Sequence, residues 1–488
     1  MQIKLRNIGI IRDSAITLDG LTVITGKNNS GKTTVGKTLY ALLEATSNLQ
    51  KKAQLDRRSY ISKQLYVIKE ILSQGVYFRP FVDAVPRLSD YPALSTLLFK
   101  NVMEEELGKR LEDFAHILYR ELQSIDEMGK VLEPFLLKQQ IRRFDEVSQT
   151  WESDEIYLGG PLDERRKKAL DVLMKLFADL NKDANLIEYA RESINQTLRM
   201  EFGGQVQPVR APEAISMVEL SEEAGTVYFH FAVVNNNIVN DGMPVFSTSP
   251  FKQVYMIDDP FILDIVPSKN ILRGSSRKEI GTFLNPMRIQ SHNYRLRQTL
   301  RVTGSSNIFE LNLLNASLKS LKEQIDRVLP GTFEFSADGD FYVQDGAKIK
   351  ISNLATGSKM FSIIKLLLET GHIDSDTMLI LDEPEAHLHP KWQNAFAEII
   401  VLLVKELGVN ILLTTHSPNF MLALDAHMRK YQINDQTNFY QTHIGEDDFV
   451  EYHQVNDDLG KIYDDFLQYL SEMKVLRNRY FYGEEEKR

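Results

Sequence analysis

Gly26-Lys27-Asn28-Asn29-Ser30-Gly31-Lys32-Thr33-Thr34 is the stretch whose reading decides the fold of this chain. It fits G-x-x-x-x-G-K-[ST], a loop whose backbone N–H groups cradle phosphates. The apolar run Leu21–Thr25 before it reads as a buried strand, and Thr34–Leu43 after it reads as a helix. That order matters, because such a loop works as a strand-to-helix turn and the helix N-terminus adds a favourable dipole. Gly26 and Gly31 permit close approach and unusual backbone angles. Lys32 can reach the outer phosphates, and the Thr33 hydroxyl can ligate Mg²⁺. Lys27, Asn28, Asn29, Ser30 and Thr34 complete the cradle.

Working outward, a second element is needed on a neighbouring strand. Met378–Leu381 is a buried-strand run with Asp382-Glu383 at its C-terminal end, where α/β sheets place ligand chemistry. Asp382 is the expected Mg²⁺ ligand and Glu383 the expected general base for an attacking water. A third strand, Asn410–Thr415, ends at His416, whose position suits a hydrogen bond to the γ-phosphate or the water. Between them, Thr356, Gly357 and Ser358 open an apolar helix, a second anion-binding N-terminus. Two such termini do not easily share one phosphate chain, so the second is expected to act on the nucleotide of another protomer. The cofactors implied are ATP and Mg²⁺.

The remaining sequence bounds the rest. With 488 residues, 43% hydrophobic and 25% charged, the chain suits a folded protein of several domains. No apolar run approaches about 20 residues, so no membrane span is expected. Zero cysteines exclude disulfides, Cys-based zinc sites and a thiol nucleophile, and point to the cytoplasm. A net charge of −10 argues against wholesale coating of nucleic acid.

Periodicity divides the chain into 1–48 (first part of the nucleotide lobe), 49–212 (a large helical insertion), 213–306 (strands and a basic loop), 307–430 (the lobe with the other motifs) and 431–488 (a C-terminal segment). Arg142-Arg143 and Arg165–Lys168 read as solvated helix faces or as phosphate-backbone contacts. Asp258-Asp259-Pro260 reads as a strand-ending turn in preference to a metal site. The basic stretch 267–307, with Arg273, Arg277, Lys278, Arg288, Arg295, Arg297 and Arg301, is either a partner or nucleic-acid contact or a charged surface loop.

These residues together resemble the ABC-type ATPase head of SMC-like, RecF-like and OLD-like proteins. Leu354–Lys359 is a variant of their LSxGxK signature, with Ala355-Thr356 departing from the usual wording. Glu383–Pro390 follows EPExHLHP, which the resemblance reads as the turn after the acidic strand and not as a His387/His389 metal site. No Q-loop glutamine is assigned. The fold class implied is α/β: a mixed sheet with flanking helices and the helical insertion.

Asp382–Gln393, Thr414–Phe420, Tyr431–Ile433 and Leu459–Leu476 more narrowly resemble the PtuA-type ATPase of Septu and retron-associated anti-phage systems. So do Glu201–Gln205 and Ile257–Asp264. That resemblance implies an ATPase without nuclease activity of its own, since the last segment is too short for a TOPRIM domain. Its nucleotide state would control a separate HNH-type, PtuB-like nuclease. It implies a homodimer of heads or a larger homo-oligomer, and leaves open DNA, RNA or a retron msDNA–reverse transcriptase complex as further partners. The competing expectations are a DNA-clamping repair ATPase and a scaffold that stores a toxic effector, as in the AriA ATPases of the PARIS system.

Overall fold

The computed structural model describes residues 1–53, 185–222, 225–239, 244–264, 291–301, 319–336 and 339–481, with strands 139–145 and 150–156 and isolated positions between 56 and 179. The chain forms two compact units. The first comprises Met1–Lys51, Asn185–Lys269 and Arg288–Arg488; the second comprises Lys52–Ala184 and Asn270–Met287.

The first unit opens with β1 (Gln2–Ile8), β2 (Ile11–Thr17), β3 (Leu21–Thr25) and α1 (Lys32–Thr46). The second unit supplies β4 (Gln139–Asp145) and β5 (Thr150–Ile156), an antiparallel pair. The chain returns through α2 (Leu186–Glu201), β6 (Ser216–Ser221), β7 (Val227–Val234), β8 (Asn237–Val239), β9 (Val245–Phe246) and β10 (Gln253–Ile257). Next come α3 (His292–Arg301), α4 (Lys319–Val328) and a three-stranded sheet of β11 (Thr332–Ser336), β12 (Gly339–Gln344) and β13 (Ala347–Lys350). Then α5 (Thr356–Glu369), β14 (Thr377–Asp382), α6 (Pro390–Leu407), β15 (Asn410–Thr415) and α7 (Pro418–Tyr431) alternate. Last are β16 (Thr437–Ile444), β17 (Val450–Gln454) and α8 (Gly460–Phe481).

Twelve strands make one mixed sheet in the order β10-β14-β15-β3-β16-β17-β2-β1-β6-β7-β8, with β9 also on β7. The first five are mutually parallel. Their central strands are apolar on both faces, and all five residues of β3 are buried, as expected where both faces of a parallel sheet are covered. Alternate residues divide between two cores. Leu21, Val23, Leu379, Leu381, Ile411 and Leu413 face α4–α7, whereas Ile24, Met378, Ile380 and Leu412 face α1 and α2. The half built on β1, β2, β6 and β7 buries one face, so its strands alternate. The predicted α/β class with flanking helices is the observed one.

The boundaries differ from the predicted ones. Residues 185–212 join the first unit, because α2 packs on α1 through Ala190, Ile194 and Leu198. Arg142 and Arg143 lie on a strand, paired with Ser153 and Glu152, and not on a helix. Two seven-residue strands therefore lie within the stretch read as helical. Arg165–Lys167, Arg273, Arg277, Lys278 and Arg288 lie outside the described residues. Arg295, from the same basic stretch, is ion-paired with Glu44 of α1. The last segment is no appendage, since β16 pairs directly with β3.

Helix α1 lies close on the sheet because position 36 carries no side chain: a Cβ there would come within 3.0 Å of Ile380 Cγ2. Gly36→Val should therefore lower the unfolding free energy in urea by about 1–3 kcal/mol, the usual cost of overpacking. Unchanged or raised stability would show that α1 is not seated this closely.

Candidate active site

The parallel pairing sets the site. Thr25 lies opposite Thr415, Asp382 opposite Thr414, and Ile257 opposite Leu381. Four neighbouring strands thus end at one level, delivering Gly26, His416, Asp382-Glu383 and Asp258 to one edge of the sheet. A cleft of about 710 Å³ runs along that edge, within the roughly 300–1,000 Å³ usual for small-molecule sites. Its walls include Asn28–Thr34, Asp258, Thr356, Asp382 and Glu383.

The loop itself is tightly specified. A Cβ at Gly26 would stand 1.7 Å from Thr442 Oγ1 of β16, so no side chain fits there. Gly31 has φ +73°, and a Cβ would meet Ile10 and Tyr452; this left-handed conformation is the one glycine adopts without penalty. The Ser30 hydroxyl is buried without a protein partner. Lys32 is 4% exposed and curls back, donating to the carbonyls of Gly26 (3.0 Å) and Lys27 (2.8 Å). Its Nζ also lies 3.3 Å from Glu383 Oε1.

Helix ends add to the cleft. Side chains cap α2 (Asn185), α6 (His389) and α7 (Ser417). Helices α1 and α5 have no side-chain cap, and both begin on the cleft wall, at Lys32–Thr34 and Thr356. No side chain accepts from their first N–H groups, although the Thr34 N–H donates to the Gly31 carbonyl at 2.9 Å. Gly357 is buried against Leu388 and Trp392, where a Cβ would come within 3.1–3.2 Å. The Ser358 carbonyl accepts from the Ser362 hydroxyl (2.7 Å).

The acidic residues are held individually. Asp382 accepts from the Thr33 hydroxyl (2.6 Å) and the Thr414 hydroxyl. Burial pushes its carboxyl above the usual range, and those two hydrogen bonds only partly offset this. Glu383 has φ +49° and donates its N–H to Thr414 O at 3.1 Å. Its Oε2 lies 3.2 Å from His416 Nδ1. Lys32, Glu383 and His416 therefore form a continuous line, a carboxylate between a cation and an imidazole. Behind them Glu385, 1% exposed, accepts from the Thr415 hydroxyl and the His416 N–H. Burial raises its pKa.

Sequence reasoning missed Thr414, Glu385 and a buried bridge beside the cleft. Asp258 was read as part of a turn, but only Asp259 serves the turn, accepting from the Phe261 N–H (2.8 Å). Asp258 Oδ2 lies 2.9 Å from His292 Nε2, and His292 Nδ1 lies 2.6 Å from Glu201 Oε2. The pattern that could have exposed Asp258 is its place directly after a strand, as with Asp382. His387 and His389 do not converge: His387 stacks edge-on with Phe261, while His389 caps α6. Among the described residues no three His, Asp or Glu side chains are grouped to hold a metal unaided. Nor is any described helix long and apolar enough to cross a membrane.

Despite its burial, which opposes charge, His292 has its pKa raised from 6.5 to about 9 by Asp258 and Glu201. A raised folded-state pKa stabilises fully below the unfolded value and is lost as pH climbs through the folded one. Wild-type unfolding free energy should therefore fall by on the order of 2–3 kcal/mol between pH 6.5 and 9.5 relative to His292→Gln. Parallel pH profiles for the two proteins would show that folding does not raise the proton affinity of His292.

Residues 220–423 match the family model described as "AAA domain, putative AbiEii toxin, Type IV TA system". This is less than half of the chain; it takes in Thr356–Ser358, Asp382-Glu383 and His416 but leaves out Gly26–Thr34. Among solved structures, the SMC head domain from Thermotoga maritima is similar at 10% identity and TM-score 0.31, covering 93% of this chain and 98% of that one. The Smc head with a coiled coil and joint from Pyrococcus yayanosii gives 12%, 0.33, 97% and 99%. Likeness at this level bears on neither activity nor partners. The family match spans the strands that carry Asp382-Glu383 and His416, and beside it stand the mixed sheet and the strand–loop–helix at Gly26–Thr34.

Proposed function

We propose that this chain binds and hydrolyses ATP, and that its nucleotide state controls a separately encoded effector. The observation that carries this is the meeting of Lys32, Thr33, Asp382 and Glu383 on one cleft with the uncapped N-terminus of α1, and His416 against Glu383. The donor set fits a nucleotide with its cation. Buried Ser30 Oγ lacks a partner, and the loop has no room for a Cβ at Gly26. Thr33 and Asp382 offer only oxygen ligands, the kind Mg²⁺ takes. When bound there, Mg²⁺ supplies charge neutralisation to the β- and γ-phosphate oxygens.

The rest is done by the chain. Lys32 exchanges the carbonyls of Gly26 and Lys27 for phosphate oxygens. Water attacks the γ-phosphorus, the bond to the bridging oxygen breaks, and the water proton passes to the Glu383 carboxylate. His416, 3.2 Å from Glu383, orients that carboxylate and then the γ-phosphate. Thr356–Ser358 of a second protomer closes over the nucleotide, so that ATP joins two heads and hydrolysis parts them. The toxin named in the family description, together with the PtuA resemblance, favours a defence setting with an HNH-type nuclease as the controlled partner.

Binding of a fluorescent ATP analogue and phosphate release test this directly. Lys32→Ala should weaken binding at least about tenfold. Glu383→Gln should keep binding but slow turnover by roughly 10²–10⁴, the usual worth of a general base. Co-expression with the neighbouring gene product should yield a nuclease that co-purifies and is released on hydrolysis. Wild-type turnover in both variants, or a nuclease that never associates, would contradict the reading.

A further inference from the structure

We propose that Asp258 is a further binding carboxylate of the ATP site, holding a water of the cation that accompanies the nucleotide, and that His292 positions it. The inference rests on the ATP-site reading above. Its first support is place. β10 pairs in parallel with β14, and Ile257 faces Leu381, so Asp258, just past the end of β10, comes level with Asp382, the last residue of β14. Strands in a sheet are about 4.8 Å apart, and both residues line the cleft together with Thr33. Two carboxylates set so close repel, and a shared cation relieves that repulsion.

The second support is how Asp258 is held. Its Oδ1 accepts from Asn293 Nδ2 (3.2 Å) and its Oδ2 faces His292 Nε2 (2.9 Å). His292, 6% exposed, is in turn fixed twice by Glu201, through Nδ1 at 2.6 Å and its backbone N–H at 3.2 Å. The ring edge of Tyr40 from α1 closes the remaining side. Glu201 ends α2, His292 and Asn293 begin α3, and Asp258 directly follows β10. Two helix ends are thus committed to one carboxylate. Burying charges in this way carries a heavy desolvation penalty before pairing, and apolar packing could fill the same space. Such an outlay for a carboxylate on the cleft wall points to orientation of Asp258 as its use.

Mg²⁺ keeps several waters and takes few direct carboxylates when phosphates are present. With Thr33 and Asp382 as direct ligands, a second carboxylate at Asp258 suits the water shell. Groups that hold a metal's ligands or waters in place are typically worth roughly 10–100-fold in metal affinity.

The test uses the full chain and a fluorescent ATP analogue, titrated at a series of Mg²⁺ concentrations and in EDTA. Asp258→Asn should raise the Mg²⁺ concentration needed for half-maximal enhancement of binding about tenfold, with affinity in EDTA close to wild type. His292→Gln should shift it in the same direction by less, because the carboxylate remains but is no longer steered. It also carries the test if Asp258→Asn yields no folded protein. An unchanged Mg²⁺ midpoint would overturn the inference. So would an equal loss of affinity with and without Mg²⁺, which marks a bridge that only holds the fold. Wild-type protein that binds no nucleotide at all would instead sink the ATP-site reading itself.

Discussion

The level ending of four parallel strands is the constraint on which the rest of this molecule depends. Pairing of β10, β14, β15 and β3 fixes where each chain leaves the sheet, and a one-residue slip would turn every side chain to the opposite core. Register therefore does two jobs. It sends Leu379, Leu381, Ile411 and Leu413 to one core and Ile380 and Leu412 to the other. It also brings a phosphate loop, an acidic pair, an imidazole and a third carboxylate to one edge, although their codons lie far apart. Packing and chemistry are set by the same hydrogen-bond ladder.

At that edge the charges are balanced within the protein. Lys32 satisfies its ammonium on two loop carbonyls and Glu383, while Asp382 rests on two threonine hydroxyls. These partners are of the kind a nucleotide and its cation would replace with phosphate oxygens and metal. The loop is held from behind by Thr442 and Tyr452, against Gly26 and Gly31. Its shape is thus built in before any ligand arrives, which limits the ordering cost of binding.

Much of this could be read from the sequence because each motif sits in a continuous stretch at a strand end. The P-loop lies between a buried run and a helix, and Asp382-Glu383 and His416 each follow an apolar strand. What stayed hidden depends on contacts across the fold. Glu201 and His292 lie 91 residues apart and meet only because α2 and α3 converge beside β10. Asp258 looks like a turn residue since Asp259-Pro260 follows it, and Asp382, with which it comes level, is on another strand. β16 and β17 were set aside as a terminal segment, yet they support the loop from behind. Their short alternating pattern does not announce which sheet they join. Arg142 and Arg143 show the opposite failure, where charge runs suggested helix and strand pairing prevailed.

The most direct test is a structure of the chain with a non-hydrolysable ATP analogue and Mg²⁺. Density in the cleft is expected between Gly26–Thr34 and Asp382, with Lys32 moved from the Gly26 and Lys27 carbonyls onto the β- and γ-phosphates and the Thr33–Asp382 hydrogen bond replaced by metal ligation. A nucleotide bound elsewhere, or a Lys32 that keeps its loop carbonyls with the analogue present, would contradict the site described.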